Sequence, residues 1–363
     1  MQLQGQHVLI LGLGASGLAM ARWCARAGAE VTVADTRQLP PQLAALQQEL
    51  PQVRFVAGAF GAHLVQGQGL HAVYRSPGLS PDSIAPVFVA ASAMGISTGG
   101  ELSLYSMALA ALRAAHGYAP AVLAITGTNG KTTVTSLTGQ LLARAGQRVA
   151  VAGNIGPTLL DTLRECVDDA LPEVWVLELS SFQLDNAGPF EPTAATVLNV
   201  TQDHLDWHGS MEAYATAKEK IFGEQSLMLL NRDDARVMAM LPDPIRAKLQ
   251  KPIVREHITY GAGMPERPGD FGLETVNGMT WLVRALDVDE TRKSRATTEP
   301  EIYIQRLLPV DALRIRGRHN ALNAMASLAL ATTTGAPLAA MLYALREYRG
   351  EPHRVASVAV LQD

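Results

Sequence analysis

The segment Thr126-Gly127-Thr128-Asn129-Gly130-Lys131-Thr132-Thr133 constrains this chain more than any other. It follows the apolar run Ala121–Ile125 and opens a helical stretch, so it reads as a strand, a glycine turn and a helix. Glycines let backbone N–H groups turn inward around phosphate oxygens. The helix start adds a positive dipole end, Lys131 a point charge, and Thr132 a hydroxyl suited to Mg2+. Two residues separate Gly127 from Gly130 where the usual phosphate loop has four, which makes this a variant of that loop. The bland alternative is a tight strand-to-helix turn carrying a solvated lysine.

A second glycine turn stands near the start. His7–Leu11 is a short apolar run ending in Gly12-Leu13-Gly14-Ala15-Ser16-Gly17, followed by a helical stretch, Leu18–Ala27, and by Gly28 as a stop signal. Glu30–Ala34 alternates like a strand and ends at Asp35, eighteen residues after Gly17. This βαβ pattern fits a dinucleotide fingerprint, with phosphate at a helix start and an acid near a ribose or base. Glycines serving only helix–strand packing are the alternative. Further short runs lead from His71–Tyr74 into Ser76-Pro77-Gly78 and from Gly95-Ile96 into Gly99-Gly100.

The fold class predicted is α/β. Residues 1–100 are expected to form a Rossmann-like doubly wound domain, and 101–350 a central P-loop-type α/β ATPase domain with a mainly parallel sheet. Strands are predicted at Arg148–Ala152, Val174–Leu179, Ala194–Val200 and Ser226–Leu230, and a helix at Asn320–Thr332. Hydrophobic residues are 48% of the chain and aromatics 5%, an Ala/Leu/Val mix suited to helices on buried parallel strands. Residues 262–300 are polar, with a charged patch late, and read as hairpins or a mobile insertion. Residues 351–363 contain an apolar run, Val355–Leu361, that resembles the first strand of a third domain otherwise absent.

Thirty Lys and Arg against 34 Asp and Glu give a formal charge of −4, which excludes a strongly basic binder of nucleic-acid polymers. The two cysteines, Cys24 and Cys166, match no metal spacing and suit a reduced, cytoplasmic chain. A basic leader and an 18-residue apolar stretch are both lacking, so neither secretion nor membrane association is expected.

Other segments carry chemistry. Glu178 ends the strand VWVLE ahead of Ser180-Ser181-Phe182-Gln183, where a carboxylate meets ligands of an open α/β sheet and suits Mg2+. Asp203-His204-Leu205-Asp206 closes the next strand and offers a metal or substrate site. Physics alone makes Lys218 a surface lysine. Asn320 and Asn323 present amide edges for an adenine, or Asn320 simply caps a helix.

Together TGTNGKTT, NVTQDHLDWH, YATAK, GRHNALNA and Glu351-Pro352-His353-Arg354 occur in the order of the Mur ligase family, and the chain resembles that family along essentially its whole length. Gly153-Asn154-Ile155-Gly156 and ELSSFQL resemble the member that adds D-glutamate to UDP-N-acetylmuramoyl-L-alanine. The resemblance implies an ATP-dependent ligase of peptidoglycan precursor synthesis that works through an acyl phosphate, as a cytoplasmic monomer. Gly14, Ser16 and Gly17 then bind the uridine diphosphate sugar, with Asp35, Thr36 and Arg37 near the uracil and Ser76, Pro77 and Gly78 lining the same pocket. Asn154, Ser180 and His204 face the muramoyl-alanine end. Gly127 to Thr133, Asn320, Asn323 and Arg354 bind ATP. Two Mg2+ ions are implied: Thr132 and Glu178 serve one, His204 a second, and Lys218 joins as a carbamate. The family's catalytic set maps onto Lys131, Glu178, His204 and Lys218. Its third domain completes the ATP site and binds the amino acid, so this shortened chain is expected to be inactive alone. The rival readings are an alanine- or diamino-acid-adding relative, an NAD(P)-dependent oxidoreductase, and a non-catalytic nucleotide-binding module.

Overall fold

A computed structural model describes residues 3–245, 252–288 and 302–350. Its first sheet is built from β1 (His7–Leu11), β2 (Glu30–Asp35), β3 (Arg54–Ala57), β4 (Ala72–Arg75) and β5 (Ser97–Gly100). Helices α1 (Ala15–Arg26), α2 (Leu43–Glu49) and α3 (Pro81–Ala93) connect them. All pairings are parallel, in the order β3-β2-β1-β4-β5. Val8 to Leu11 of β1 are fully buried, as expected of a central parallel strand covered on both faces. The chain leaves β1 toward β2 on one side and later returns to β4 on the other. The α1 turn therefore opens at a point where strand order reverses, and ligands of such sheets collect there.

Helix α4 (Glu101–His116) crosses to the second sheet. There β6 (Ala121–Thr126), α5 (Lys131–Arg144), β7 (Val149–Gly153), α6 (Leu159–Asp168), β8 (Val174–Glu178) and α7 (Ser181–Asp185) follow in turn. Next come β9 (Ala194–Val197), α8 (Leu205–His208), α9 (Met211–Glu219), β10 (Leu227–Asn231), α10 (Ala235–Met238) and β11 (His257–Tyr260). The last elements are β12 (Phe271–Val276), β13 (Met279–Asp287), β14 (Ile302–Pro309), α11 (Arg318–Thr332) and α12 (Leu338–Glu347). Strand order is β14-β13-β12-β11-β10-β9-β6-β8-β7, with β6 central between β8 and β9, so the α5 turn also opens where strand order reverses.

Among the described residues, the strands read from sequence are present to within three residues, while β3, β11 and β14 escaped that reading. Helix α1 starts at Ala15, directly on the glycine turn, rather than at Leu18. Residues 271–287 form a hairpin turning at Asn277-Gly278, and β14 pairs with it antiparallel. The parallel sheet passes to this antiparallel part through one residue pair, Tyr260 with Phe271. Side chains bridge the junction: Arg232 donates to Thr259 Oγ1 (2.7 Å) and to Phe271 O (3.0 Å), and Thr259 N donates to Asp270 Oδ1 (2.7 Å). The run Val355–Leu361 lies outside the described residues. Among those described, no helix is long and apolar enough to cross a membrane, and both cysteines are free thiols.

One hydrophobic core runs under both sheets, from β1 and α1 through α4 and α6 to β8. Tyr105 of α4 meets Trp175 of β8 edge to face at 5.5 Å, and both rings are fully buried. Arg22 pairs with Asp161 (3.0 Å) and Arg26 with Asp168 (2.6 Å) between α1 and α6.

Candidate nucleotide and substrate sites

The first glycine turn is held by contacts that only glycine permits. A Cβ on Gly17 lies 2.0 Å from Gly12 O, and Gly12, at φ +87°, packs against Ser76, whose Oγ donates to Gly12 O at 3.0 Å. By contrast Gly14 and Gly78 face open space, leaving backbone accessible at the start of α1. Asp35 is buried and accepts from Leu13 N (2.7 Å) and from the Arg37 guanidinium (2.7 and 2.8 Å). Burial pushes its carboxyl up, but the hydrogen bonds from Arg37 and Leu13 outweigh this and hold it at about 2. Asp35 therefore fastens the turn itself and holds the Arg37 guanidinium beside exposed Thr36. Ser16 hydrogen-bonds the buried Glu101, which also accepts from Leu160 N (3.1 Å) and whose carboxyl burial pushes up. The Ser16 hydroxyl is thus engaged within the protein.

At the second turn Gly127 (φ +153°) and Gly130 (φ +87°) both adopt backbone that disfavours side chains. A Cβ on Gly130 lies 2.8 Å from Asn323 Oδ1, so α11 is pressed onto the loop. Asn129 N donates to Asn199 Oδ1 (2.8 Å), and Thr128 N to Asn199 O (3.0 Å). Lys131 Nζ donates to Gly127 O (2.8 Å) and Thr128 O (3.0 Å). The loop is thereby tied to the end of β9. The segment Asn199–Thr201, which sequence reasoning flagged without assigning a role, is its support.

Lys218 is not on the surface. It is 1% exposed in α9, donates to Gly127 O at 3.0 Å, and lies 4.5 Å from the Tyr214 ring centroid. Burial, with the charge of Lys131, brings its ammonium down to about 7. Its segment is the last turn of α9, not a helix start, and the polar pattern alone does not show that the lysine turns into the interior.

Glu178 ends β8, is 4% exposed and accepts from Asn154 Nδ2 at 3.2 Å. Gly153 lets the next strand close onto it: a Cβ there lies 2.0 Å from Glu178 O. Glu178 and Thr132 line one cavity of ≈ 440 Å3 with Gly153, Ile155 and Gly156. Two hard oxygen donors on one cavity beside a phosphate loop fit Mg2+. No three His, Cys, Asp or Glu side chains gather as a metal cage among the described residues. A cation held by these two side chains would take the rest of its shell from water or a ligand. His204 stands apart from that cavity's lining, half-exposed, at φ +49°, 3.5 Å from Asp203 and packed on Phe182 at 4.8 Å. Ser180 caps α7 in a reciprocal box with Gln183 (3.0 and 3.3 Å), so its hydroxyl has a structural duty. His208 Nε2 meets Ser181 Oγ at 2.9 Å, and burial, with Lys218 nearby, lowers its pKa.

A second cavity, ≈ 550 Å3, opens beside the loop. Asn129, Gly130, Thr133, Asn231, Asn320 and Asn323 line it, with Tyr260, Ile315 and Leu322 as apolar walls. Asn320 Nδ2 donates to Arg316 O (2.8 Å) and its Oδ1 accepts from Asn323 Nδ2 (3.2 Å), so both amides are oriented before any ligand arrives. Arg354 lies outside the described residues.

Residues 125–331 match the Mur ligase middle domain, and residues 6–100 the N-terminal domain described as Mur ligase MurD-like. The UDP-N-acetylmuramoylalanine--D-glutamate ligase of Albidiferax ferrireducens is 65% identical over 362 residues, 99% of this chain and 72% of that protein. The protein of the same name from Polaromonas sp. is 56% identical, covering 99% of this chain and 76% of its own. In fold, the solved UDP-N-acetylmuramate:L-alanyl-gamma-D-glutamyl-meso-diaminopimelate ligase from Neisseria meningitides is similar at a TM-score of 0.54 and 17% identity, over 96% of this chain and 100% of that one. The sequence and its relatives agree: the chain belongs to the Mur ligase family.

Proposed function

We propose that this chain binds UDP-N-acetylmuramoyl-L-alanine from the first glycine turn across to the muramoyl end at Asn154 and His204, binds ATP at the second turn, and serves addition of D-glutamate in the cytoplasm. Residues 1–100 form the uridine-nucleotide domain and 101–350 the ATP domain. The observation that carries this reading is the pair of glycine turns, each opening where the strand order of its own sheet reverses. An NAD(P) oxidoreductase accounts for the first turn only.

The substrate carboxylate attacks the γ-phosphorus of ATP, the bond to the β–γ bridging oxygen breaks, and ADP leaves an acyl phosphate. The D-glutamate amine then adds to that carbonyl, loses a proton, and the tetrahedral intermediate expels phosphate. Gly127 to Thr133 hold the phosphates with backbone N–H groups, and Lys131 exchanges loop carbonyls for phosphate oxygens as charge develops. Asn320 and Asn323 orient the adenosine. Gly14 and Gly17 admit the diphosphate, Ser76, Pro77 and Gly78 wall its pocket, and Thr36 and Arg37 meet the uracil. Thr132 and Glu178 would hold one Mg2+, and His204 with a carbamate on Lys218 a second, and the ions would neutralise phosphate charge when bound.

Calorimetry with UDP-N-acetylmuramoyl-L-alanine and with MgATP tests the reading. Both bind the unaltered chain, and Lys131→Ala loses MgATP while keeping the uridine substrate. Binding of NAD(P)H, seen by nicotinamide fluorescence, with neither of the other ligands bound, overturns it.

A further inference from the structure

Arg75 ends β4, one residue before the Ser76 that braces the first glycine turn. Its side chain is 3% exposed, at the seam between the two sheets. A buried guanidinium is costly unless its donors are met. Here Nη1 donates to Leu79 O (2.9 Å), and Nη2 to Asp185 Oδ2 (3.1 Å) and Phe182 O (3.5 Å). Its central carbon lies 5.3 Å from the Trp207 ring centroid. One side chain therefore touches Leu79, just past the wall of the uridine pocket, and three residues of the other sheet. Two of them touch His204: the Phe182 ring lies 4.8 Å from its ring and 4.7 Å from Trp207, and Trp207 N donates to His204 O at 3.1 Å. His204 sits in left-handed backbone before a one-turn helix, so packing sets its place.

Resting on the reading that one extended substrate spans both sheets, we propose that Arg75 is a positioning residue that fixes the His204 cluster against the uridine-nucleotide turn, so that both ends of the substrate are met at once. It makes no contact with substrate itself. The fork geometry is what suits it: a lysine ammonium is a point charge and does not serve two carbonyls, a carboxylate and an indole face together. The Arg22 and Arg26 pairs between α1 and α6 are more exposed and weaker links across the seam.

The test compares UDP with UDP-N-acetylmuramoyl-L-alanine as calorimetric ligands of the unaltered chain, Arg75→Met, Arg75→Lys and Trp207→Leu. Arg75→Met is expected to weaken the full substrate about tenfold while UDP stays within about twofold. Arg75→Lys rescues part of the loss, and Trp207→Leu moves the same ratio in the same direction. Should Arg75→Met fail to fold by circular dichroism, Asp185→Asn is read in its place, with a smaller change of the same ratio expected. Equal losses for both ligands mean a merely structural arginine and overturn the proposal, as does an unchanged ratio. If the unaltered chain binds neither uridine ligand, it is the functional reading that fails.

Discussion

Lys218 and Lys131 donate to the same oxygen, Gly127 O, at 3.0 and 2.8 Å. Two ammonium groups on one carbonyl, one of them buried, favour loss of a proton, and Lys218 is the one brought down to about 7. A neutral amine captures CO2 and turns a cation into an oxygen ligand, which an ammonium cannot do. We expect 13C-bicarbonate at pH 8 to give a protein carbamate resonance that Lys218→Met lacks. A spectrum unchanged by the substitution rules out this lysine.

The same residue sets a pH dependence. Its folded pKa lies near 7 against an ordinary value of 10.5, so between these values the unfolded chain holds the extra proton. Stability then rises with pH across that window, by up to about 1.4 kcal/mol per pH unit for one group. In CO2-free buffer, urea midpoints of the unaltered chain should climb from pH 7 to 9 relative to Lys218→Met. Parallel curves count against the buried amine.

Gly17 and Gly14 separate packing from ligand approach. Gly17→Ala forces a Cβ to 2.0 Å from Gly12 O and should cost about 2–4 kcal/mol of stability, along with uridine binding. Gly14→Ala meets open space in extended backbone, so it should fold within about 0.5 kcal/mol yet bind the diphosphate at least about tenfold more weakly. Denaturant curves and calorimetry on the pair give both numbers. Equal behaviour of the two variants contradicts the assignment of the turn.

Much of this was written in the chain, and the misses have a common cause. Short apolar runs marked β1, β2, β6 and β8, because buried parallel strands need continuous hydrophobicity, and the glycines that close β1 and β6 marked turns of positive φ. Lys218, Ser16 and Ser180 were harder. Each is a polar residue near a helix end, Lys218 in the last turn of α9 and the other two at helix starts, and nothing local says whether its side chain turns into the interior, onto a buried Glu101 or to its own helix cap. The Arg75–Asp185 contact joins residues 110 positions apart and leaves no periodic trace.

Glu178→Gln keeps an acceptor for Asn154 and nearly the same volume while removing the charge. The fold should persist within about 1 kcal/mol. Affinity for ATP with Mg2+ should drop about tenfold, and affinity without Mg2+ should hold or improve. Titrations with and without EDTA distinguish the cases, and equal losses in both remove Glu178 from the cation site.

For Asp35 the sign is opposite to that of Lys218. Its folded pKa, about 2, lies below the ordinary 3.8, so its contribution is full above about pH 4 and fades as pH falls toward 2. The stability difference between the unaltered chain and Asp35→Asn should be about 1–2 kcal/mol at pH 6, since Arg37 is solvent-exposed, and should shrink through that acid range. A difference that stays constant down to pH 2.5 refutes the Arg37 and Leu13 contacts as its source.

The single residue pair joining β11 to β12 also bears on how the sequence can change over time. A ladder of many pairs would transmit a register shift from the antiparallel strands into β10, β9 and β6. One pair, stapled by Arg232 and Asp270, transmits almost none. Insertions and deletions in the connections between β12, β13 and β14 therefore leave the register of β10, β9 and β6 unchanged, so chain length can vary there without moving the strand that carries the second glycine turn.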